Sequence, residues 1–412
     1  MVSEPLEIDE ARRLILDAAG RLPPEQVELW EALGRVLAED VSADAPVPAF
    51  DSSAMDGFAI RAQDVAHATA GSPSVLRIVG EARAGSRARA TVGDGQAISI
   101  STGAMVPKGA DAVVRVEDTC RRGECVEVLA PCARDQDIRH AGEDMQAGQT
   151  VLQAGRWVGP AELGVLGSLG YETVPCAREP RLSVLVSGDE LIAPGEPMRP
   201  GTVRDSNSVT IGALARLAGA QVISSTTMPD EPDATTRAIA AAVHGADVAV
   251  ICGGVSVGAH DHVRPSLESL GGRQVFWGIA LKPGHPAWFG SLGSTLIFAL
   301  PGNPVSAMVT FVLLVAPALR ALLGVPSQDA SYTAVMDSDY EKPAGRAHAV
   351  RCRLRAHEDG WHATPTGAQG SHILTSMLDA DALAMIPGDT TKVGVGERVQ
   401  IEPLRMWVGD PQ

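Results

Sequence analysis

The chain has 412 residues, enough for two to four domains at about 100–200 residues each, which excludes a single small module. A hydrophobic share of 45% against 20% charged residues is the balance of a folded globular protein rather than a disordered one. The net charge of −16, with no Lys/Arg run, excludes a general nucleic-acid or membrane-surface role, because such a field repels phosphate backbones and acidic lipid.

Met1-Val-Ser-Glu-Pro opens the chain without the basic and apolar segments of an export signal, so a cytoplasmic protein is expected. Apolar residues at Ile8, Ala11, Leu14, Ile15, Ala18 and Leu22 have helical spacing, and Val27, Trp30, Leu33 and Leu37 suggest a second helix. Between about Pro46 and Gly142 the texture becomes β-like, with runs at 75–79, 97–100, 112–116 and 125–129 split by Gly, Pro and Asp. Pro160 starts a short helix through Leu163, Leu166 and Leu169. From Arg181 strands and helices alternate: strands at 182–186, 221–226 and 247–252, helices at 205–218 and 233–243. This predicts a parallel α/β layer. A helix near 263–270, strands near 275–281 and 295–299, and a long helix from Pro304 to Leu323 continue it. Asn303 suits the cap of that helix and Pro304 its first turn. The helix is apolar, yet Ser306, Thr310, Pro317 and Arg320 make it a buried core helix rather than a membrane span. After Pro326 the chain is strand-like to Pro403, a separate β domain.

Six cysteines, at 120, 125, 132, 176, 252 and 352, include no Cys-x-x-Cys pair and fit free thiols in a reducing compartment. The spacing of Cys120, Cys125 and Cys132 matches no zinc pattern.

Ligands of an open α/β sheet gather beyond the carboxyl ends of its strands. Three loops there carry possible chemistry. Ser187-Gly188-Asp189-Glu190 places two acids at a strand exit. Gly253 to Gly258, followed by Ala259, His260 and Asp261, offers backbone N–H groups for an anion and a carboxylate for Mg²⁺. Lys282-Pro283-Gly284-His285-Pro286 presents a cation and a titratable ring. Each is also consistent with ordinary caps and turns. The glycine loop is neither a Walker A sequence nor a dinucleotide fingerprint, so ATPase and dehydrogenase readings lose support. His260 and His262 flank Asp261, but a lone His-x-His is a weak zinc signal. In the β-rich insert, Phe50 to Phe58, Ser101 to Ala104 and Gly142-Glu143-Asp144 are turn-like clusters of hydroxyls, acids and glycines. Spacing alone leaves their role open.

Taken together, Ser53-Ala54-Met55-Asp56-Gly57, Thr102-Gly103-Ala104, Gly142-Glu143-Asp144, Ser187 to Leu191, Asp205-Ser206-Asn207, Gly253 to Gly258, Lys282-Pro283-Gly284 and Pro301 to Ser306 closely resemble the molybdopterin molybdenumtransferase family, which includes bacterial MoeA and the gephyrin E domain. The resemblance spans essentially the whole chain in order. It implies a multidomain α/β plus β architecture with four parts: an elongated linker domain (1–47 plus 145–178), a β-rich insert (48–144), a MoaB/MogA-like parallel α/β domain (179–326) and a C-terminal β-barrel (327–412). It also implies a homodimer whose active site is shared between subunits, acting with Mg²⁺ on adenylylated molybdopterin and molybdate and releasing AMP. Contact with the molybdopterin adenylyltransferase is implied too.

Carried over onto this sequence, Asp56, Thr102, Glu190, Asp261 and Lys282 are the implied catalytic residues. Glu190 and Asp261, with Asp56 from the partner subunit, are the implied Mg²⁺ ligands, in keeping with the preference of that ion for oxygen. Asp144, Ser187, Gly188, Asp189, Asp230, Gly253, Gly254, Ser256, Gly258, Pro301, Gly302 and Asn303 are implied in substrate binding. Lys282, His285, Pro286, Ser306, Arg351 and Ser371 are implied around molybdate, where an arginine can fork two oxygens. The dithiolene comes from the pterin, so no protein cysteine is needed. Gly278 and His285 stand where family members often carry lysine, which removes two cations and leaves tungstate preference open. Two other readings are a binding scaffold that has lost catalysis and a phosphoanhydride hydrolase without metal insertion.

Overall fold

The computed structural model describes residues 5–86, 90–255, 261–326 and 332–404. Contacts divide the chain into two compact units, one of Asp40–Gln153 with Gly164–Tyr171, the other of Met1–Glu39, Ala154–Leu163 and Glu172–Gln412.

The first unit is built on a six-stranded sheet in the order Ala112–Arg115, Gly57–Ile60, Gln96–Ile100, Ser74–Ala82, Cys125–Val128, Thr119–Arg122. Alternation of side chains across the pleat gives it two cores. Phe58, Ile60, Leu76, Val114 and Val126 fill one, and Ala59, Ala82, Ile98 and Val113 fill the other. Both faces of Gly57–Ile60 are therefore covered, and all four of its residues are buried.

The second unit carries another six-stranded sheet, ordered Gln221–Met228, Arg181–Ser187, Val248–Cys252, Thr295–Leu300, Trp288–Leu292, Arg273–Trp277. Leu182, Val184 and Val186 point into one core, and Leu185 points into another across the sheet. The first four strands are parallel, as the alternating pattern predicts. Trp288–Leu292 alone runs against the rest, antiparallel to both Thr295–Leu300 and Arg273–Trp277, so the parallel layer is mixed at that end. Trp288–Leu292 was not among the expected strands. Its hairpin is closed by Gly293-Ser294, with Gly293 at φ +60°. The expected strand 275–281 is also split. Arg273–Trp277 ends at Gly278, and Leu281–Lys282 pairs instead with Ala347 and His348.

That second pairing attaches a closed five-stranded barrel. Its circuit runs Ala347–His357, Gly360–Pro365, Tyr332–Met336, Arg398–Pro403, Ala382–Ile386 and back to the first strand.

The first helix is Ile8–Ala18, as expected. The second expected helix is a correction. Pro24–Glu28 is a strand paired with Thr173–Ala177, followed by one tight turn at Leu29–Glu31. Pro23 and Pro24 lack helix donors, and although Val27 and Leu37 are buried, Trp30 and Leu33 are 86% and 56% exposed, so the four apolar residues share no single buried face.

The segment Pro304–Leu322 is long and apolar enough to cross a membrane, but most of it is buried in the α/β core. It is interrupted rather than continuous. Helices Pro304–Thr310 and Ala316–Leu322 flank a wider π-type turn at Phe311–Val315. Pro317 withholds the N–H that a regular helix would give to the carbonyl of Leu313.

Candidate active site

Four adjacent parallel strands end on one edge, at Met228, Ser187, Cys252 and Leu300. The turns beyond them pack backbone against backbone. Gly253 has φ +92°, and a Cβ there would lie 2.8 Å from the Ser187 carbonyl oxygen. Gly254, at φ +67°, leaves a Cβ position 2.7 Å from Val263. A Cβ on Gly302 would stand 3.4 Å from the Gly253 Cα. Asn207, at the start of helix Asn207–Leu217, donates through Nδ2 to the Gly302 carbonyl at 2.7 Å, and its buried Oδ1 has no partner among the described residues. Neighbouring Asp205 is buried and accepts from the Ser208 N–H at 3.0 Å.

Carboxylates collect on this edge. The Ser187 hydroxyl donates to Asp230 Oδ1, and Asp189 Oδ1 accepts from the Asp230 N–H at 3.1 Å. The Glu190 carboxylate folds back over Gly188, where a Cβ would come within 2.8 Å of it. Asp261 faces Asp230; burial first, then the charge of Asp230, pushes its carboxyl up to about 6. Its Oδ1 is buried and has no hydrogen-bond partner among the described residues. An oxygen atom held out of water beside a second carboxylate suits a divalent cation, so the residues present fit Mg²⁺. Among the described residues no group of three or more His, Cys, Asp or Glu is preformed as a metal cluster. Ser256, Gly258 and His260 lie outside the described residues.

A second group forms where the barrel meets the α/β core. Lys282, exposed, lies on the strand paired with Ala347 and His348, and its bond to Pro283 is cis. Gly284 has φ +126° and leaves no room for a Cβ against Thr310, so this turn packs on helix Pro304–Thr310. Ser306 is buried in that helix. Asn303 holds the cap position, but its side chain does not cap. Nδ2 donates to the Ser371 hydroxyl at 3.1 Å, and the Val305 N–H reaches the Ser371 carbonyl at 3.2 Å. Arg351 is 1% exposed, donating through Nε to Ser376 Oγ and through Nη2 to the Gly370 carbonyl, each at 3.2 Å. Burial lowers its pKa. His285 pairs through Nδ1 with the Ile279 carbonyl at 2.8 Å. Gly278 sits beside it, the Cβ position 3.7 Å from the ring, and its φ of +86° would strain a lysine there. Pro286 is half-buried in the same turn.

The sequence gives no signal for several neighbours of this group. His348 accepts or donates at the Tyr340 hydroxyl, 3.0 Å away, and is held at about 4 by burial and then by Lys282, Lys342 and Arg346. Lys342 is buried and donates to the carbonyls of Pro343, Arg346 and Gly388. Gln369 and Ser376 hold Arg351. These side chains are scattered in sequence, and only barrel closure gathers them.

In the other unit, Asp56 Oδ1 accepts from the Thr102 N–H at 2.7 Å and the Thr102 hydroxyl at 3.2 Å, so two candidate residues meet there. Asp144 is exposed, and its N–H donates to the Val47 carbonyl. The thiols are free; Cys132, Cys176, Cys252 and Cys352 are buried, and burial raises the pKa of each.

Fold and site together define a multidomain α/β enzyme with carboxylates on a strand edge and cations at an adjoining barrel. Comparison with known proteins narrows this. Family models match in three consecutive parts: the MoeA N-terminal region (domain I and II) over residues 6–170, the probable molybdopterin binding domain over 183–321, and the MoeA C-terminal region (domain IV) over 333–404. The chain is 35% identical to a molybdopterin molybdenumtransferase of Haemophilus influenzae over 98% of its own length and 100% of that protein's. It is 35% identical to one from Bacillus subtilis, covering 97% of this chain and 94% of the relative. The crystal structure of a molybdopterin biosynthesis MoeA protein from Pyrococcus horikoshii superposes with a TM-score of 0.84 at 31% identity, over 97% of this chain and 100% of that one. The chain belongs to the MoeA family of molybdopterin molybdenumtransferases, and so is a transferase of molybdenum cofactor biosynthesis.

Proposed function

We propose that the protein inserts molybdate into adenylylated molybdopterin in a Mg²⁺-dependent reaction, with hydrolysis of the adenylate and release of AMP. The observation that carries this reading is the buried Asp261 oxygen, without a hydrogen-bond partner among the described residues, beside Asp230 on the strand edge. Asp261 with Glu190 would hold Mg²⁺, which supplies charge neutralisation for phosphate oxygens when bound. Asp189 and Ser187 keep Asp230 oriented towards that edge. Gly253, Gly254, Pro301 and Gly302 let the phosphate or pterin approach the backbone closely, with Ser256 and Gly258 belonging to the same loop. Lys282, His285, Pro286, Ser306, Arg351 and Ser371 surround molybdate, which is substrate here and needs N–H and O–H donors.

The same reading includes a cytoplasmic homodimer in which Asp56, Thr102 and Asp144 of one copy complete the site of the other. It also includes the four-domain division and a handover contact with the adenylyltransferase that makes the substrate. Purified protein incubated with adenylylated molybdopterin and Mg²⁺, with and without molybdate, tests the function. Cofactor formation that requires molybdate supports it. AMP release indifferent to molybdate points to a hydrolase, and no turnover points to a scaffold. Parallel titrations with molybdate and tungstate decide oxyanion preference.

A further inference from the structure

Arg351 is a buried cation whose carboxylate partner is missing among the described residues; its hydrogen bonds go to a hydroxyl and a carbonyl. Burying a guanidinium without a counter-ion is costly, so the way it is held matters. On strand Ala347–His357, Val350 and Cys352 point into the barrel, whereas Ala347 and Ala349 face the α/β core. Arg351 shares the parity of the alanines and emerges on the core-facing side.

The segment 366–376 bonds its backbone and one edge of its guanidinium. Gln369 Oε1 accepts from the Arg351 N–H at 2.9 Å, and Gln369 Nε2 and the Thr366 N–H both donate to the Arg351 carbonyl. Ser376 is 5% exposed, and its hydroxyl donates to the Ile373 carbonyl at 2.6 Å. With that proton committed, a lone pair is left for Arg351 Nε. Nε and Nη2 each spend a donor on the protein, and three of the five guanidinium N–H groups remain on the terminal nitrogens. Ser371, which follows Gly370, is tied to Asn303 and to Val305, the neighbour of Ser306.

We propose that Ser376 is a positioning residue for the transferase. It fixes the Nε edge of Arg351, so that the terminal N–H groups are presented to the tetrahedral oxyanion together with Ser306 and Ser371. The proposal rests on the reading of Arg351 as an oxyanion ligand. It assigns Ser376 no contact with substrate; it acts through Arg351.

The test compares Ser376→Ala, Ser376→Cys, Arg351→Ala and the Ser376→Ala/Arg351→Ala double variant of the full-length protein, with adenylylated molybdopterin and molybdate varied separately. Ser376→Ala is expected to raise the half-saturating molybdate concentration about tenfold, the scale of one hydrogen bond to a charged group. Half-saturation for the pterin should stay within about twofold. The double variant should match Arg351→Ala, since the serine acts only through the arginine. An equal shift for both substrates, or additive losses in the double variant, overturns the positioning role. A molybdate requirement unchanged in Arg351→Ala sinks the ligand reading itself; a raised requirement there with none in Ser376→Ala sinks only the serine proposal. If Ser376→Ala does not fold, Ser376→Cys keeps the volume with a weaker acceptor, and wild-type molybdate dependence in it overturns the proposal.

Discussion

Arg12, on the first helix, donates its Nε to the carbonyl of Leu313 at 2.9 Å, 301 residues away in sequence. That carbonyl is the one whose regular i+4 donor Pro317 withholds, and a long-range side chain bonds it. The same guanidinium reaches Glu402 at 2.9 Å, joining helix, core and barrel strand.

Removing this arginine takes a donor from a buried carbonyl and breaks the pair with Glu402. Arg12→Ala is expected to cost about 1–3 kcal/mol, with Arg12→Lys intermediate because a single ammonium cannot serve both partners in the same geometry. Urea unfolding measures it; a midpoint equal to wild type would show that Leu313 finds another donor.

Asp261→Asn separates the metal role from folding. The amide removes a buried negative charge facing Asp230, so the melting temperature should hold or rise. Mg²⁺-dependent turnover should fall at least about tenfold, because a neutral oxygen is a weaker ligand for a hard cation. A wild-type rate across a Mg²⁺ titration removes Asp261 from the metal site.

The two glycines at the strand exits should respond differently to one methyl group. Gly253→Ala meets the Ser187 carbonyl at 2.8 Å in a left-handed backbone, and a loss of about 2–4 kcal/mol is expected. Gly302→Ala meets Gly253 at 3.4 Å, an ordinary contact, and should cost under about 1 kcal/mol. Thermal unfolding of both variants tells them apart; equal effects contradict the close packing of these turns.

His348 should make the protein acid-labile. Its folded value of about 4 lies below the ordinary 6.5, so between those limits the unfolded chain binds more protons than the folded one. Stability is therefore fully present above about 6.5 and is lost as pH falls towards 4, by roughly 3 kcal/mol. In His348→Gln this part of the slope should vanish. Urea midpoints from pH 4 to 7 give the answer, and parallel slopes in the two proteins would exclude His348 as the cause.

Much of the architecture is legible without coordinates. Alternating apolar runs from Arg181 onwards are periodic enough to mark the parallel strands, and the strand-exit acids and glycines follow from the rule that ligands collect there. The false helix at Val27 to Leu37 shows the limit of periodicity. Apolar spacing is indistinguishable from a helix face until Trp30 and Leu33 are seen in solvent while Val27 and Leu37 are buried.

Residue order fixed which side chains are available and which local backbone each turn can adopt, since strand pattern, glycine freedom and proline restriction act over a few residues. Three-dimensional packing decided which of them meet. The antiparallel end of the α/β sheet, the Arg12 bond to Leu313 and the hold of Gln369 and Ser376 on Arg351 all join segments far apart in the chain. Hydrogen bonding and burial at that range depend on how sheet and barrel close, and no short stretch of sequence records it.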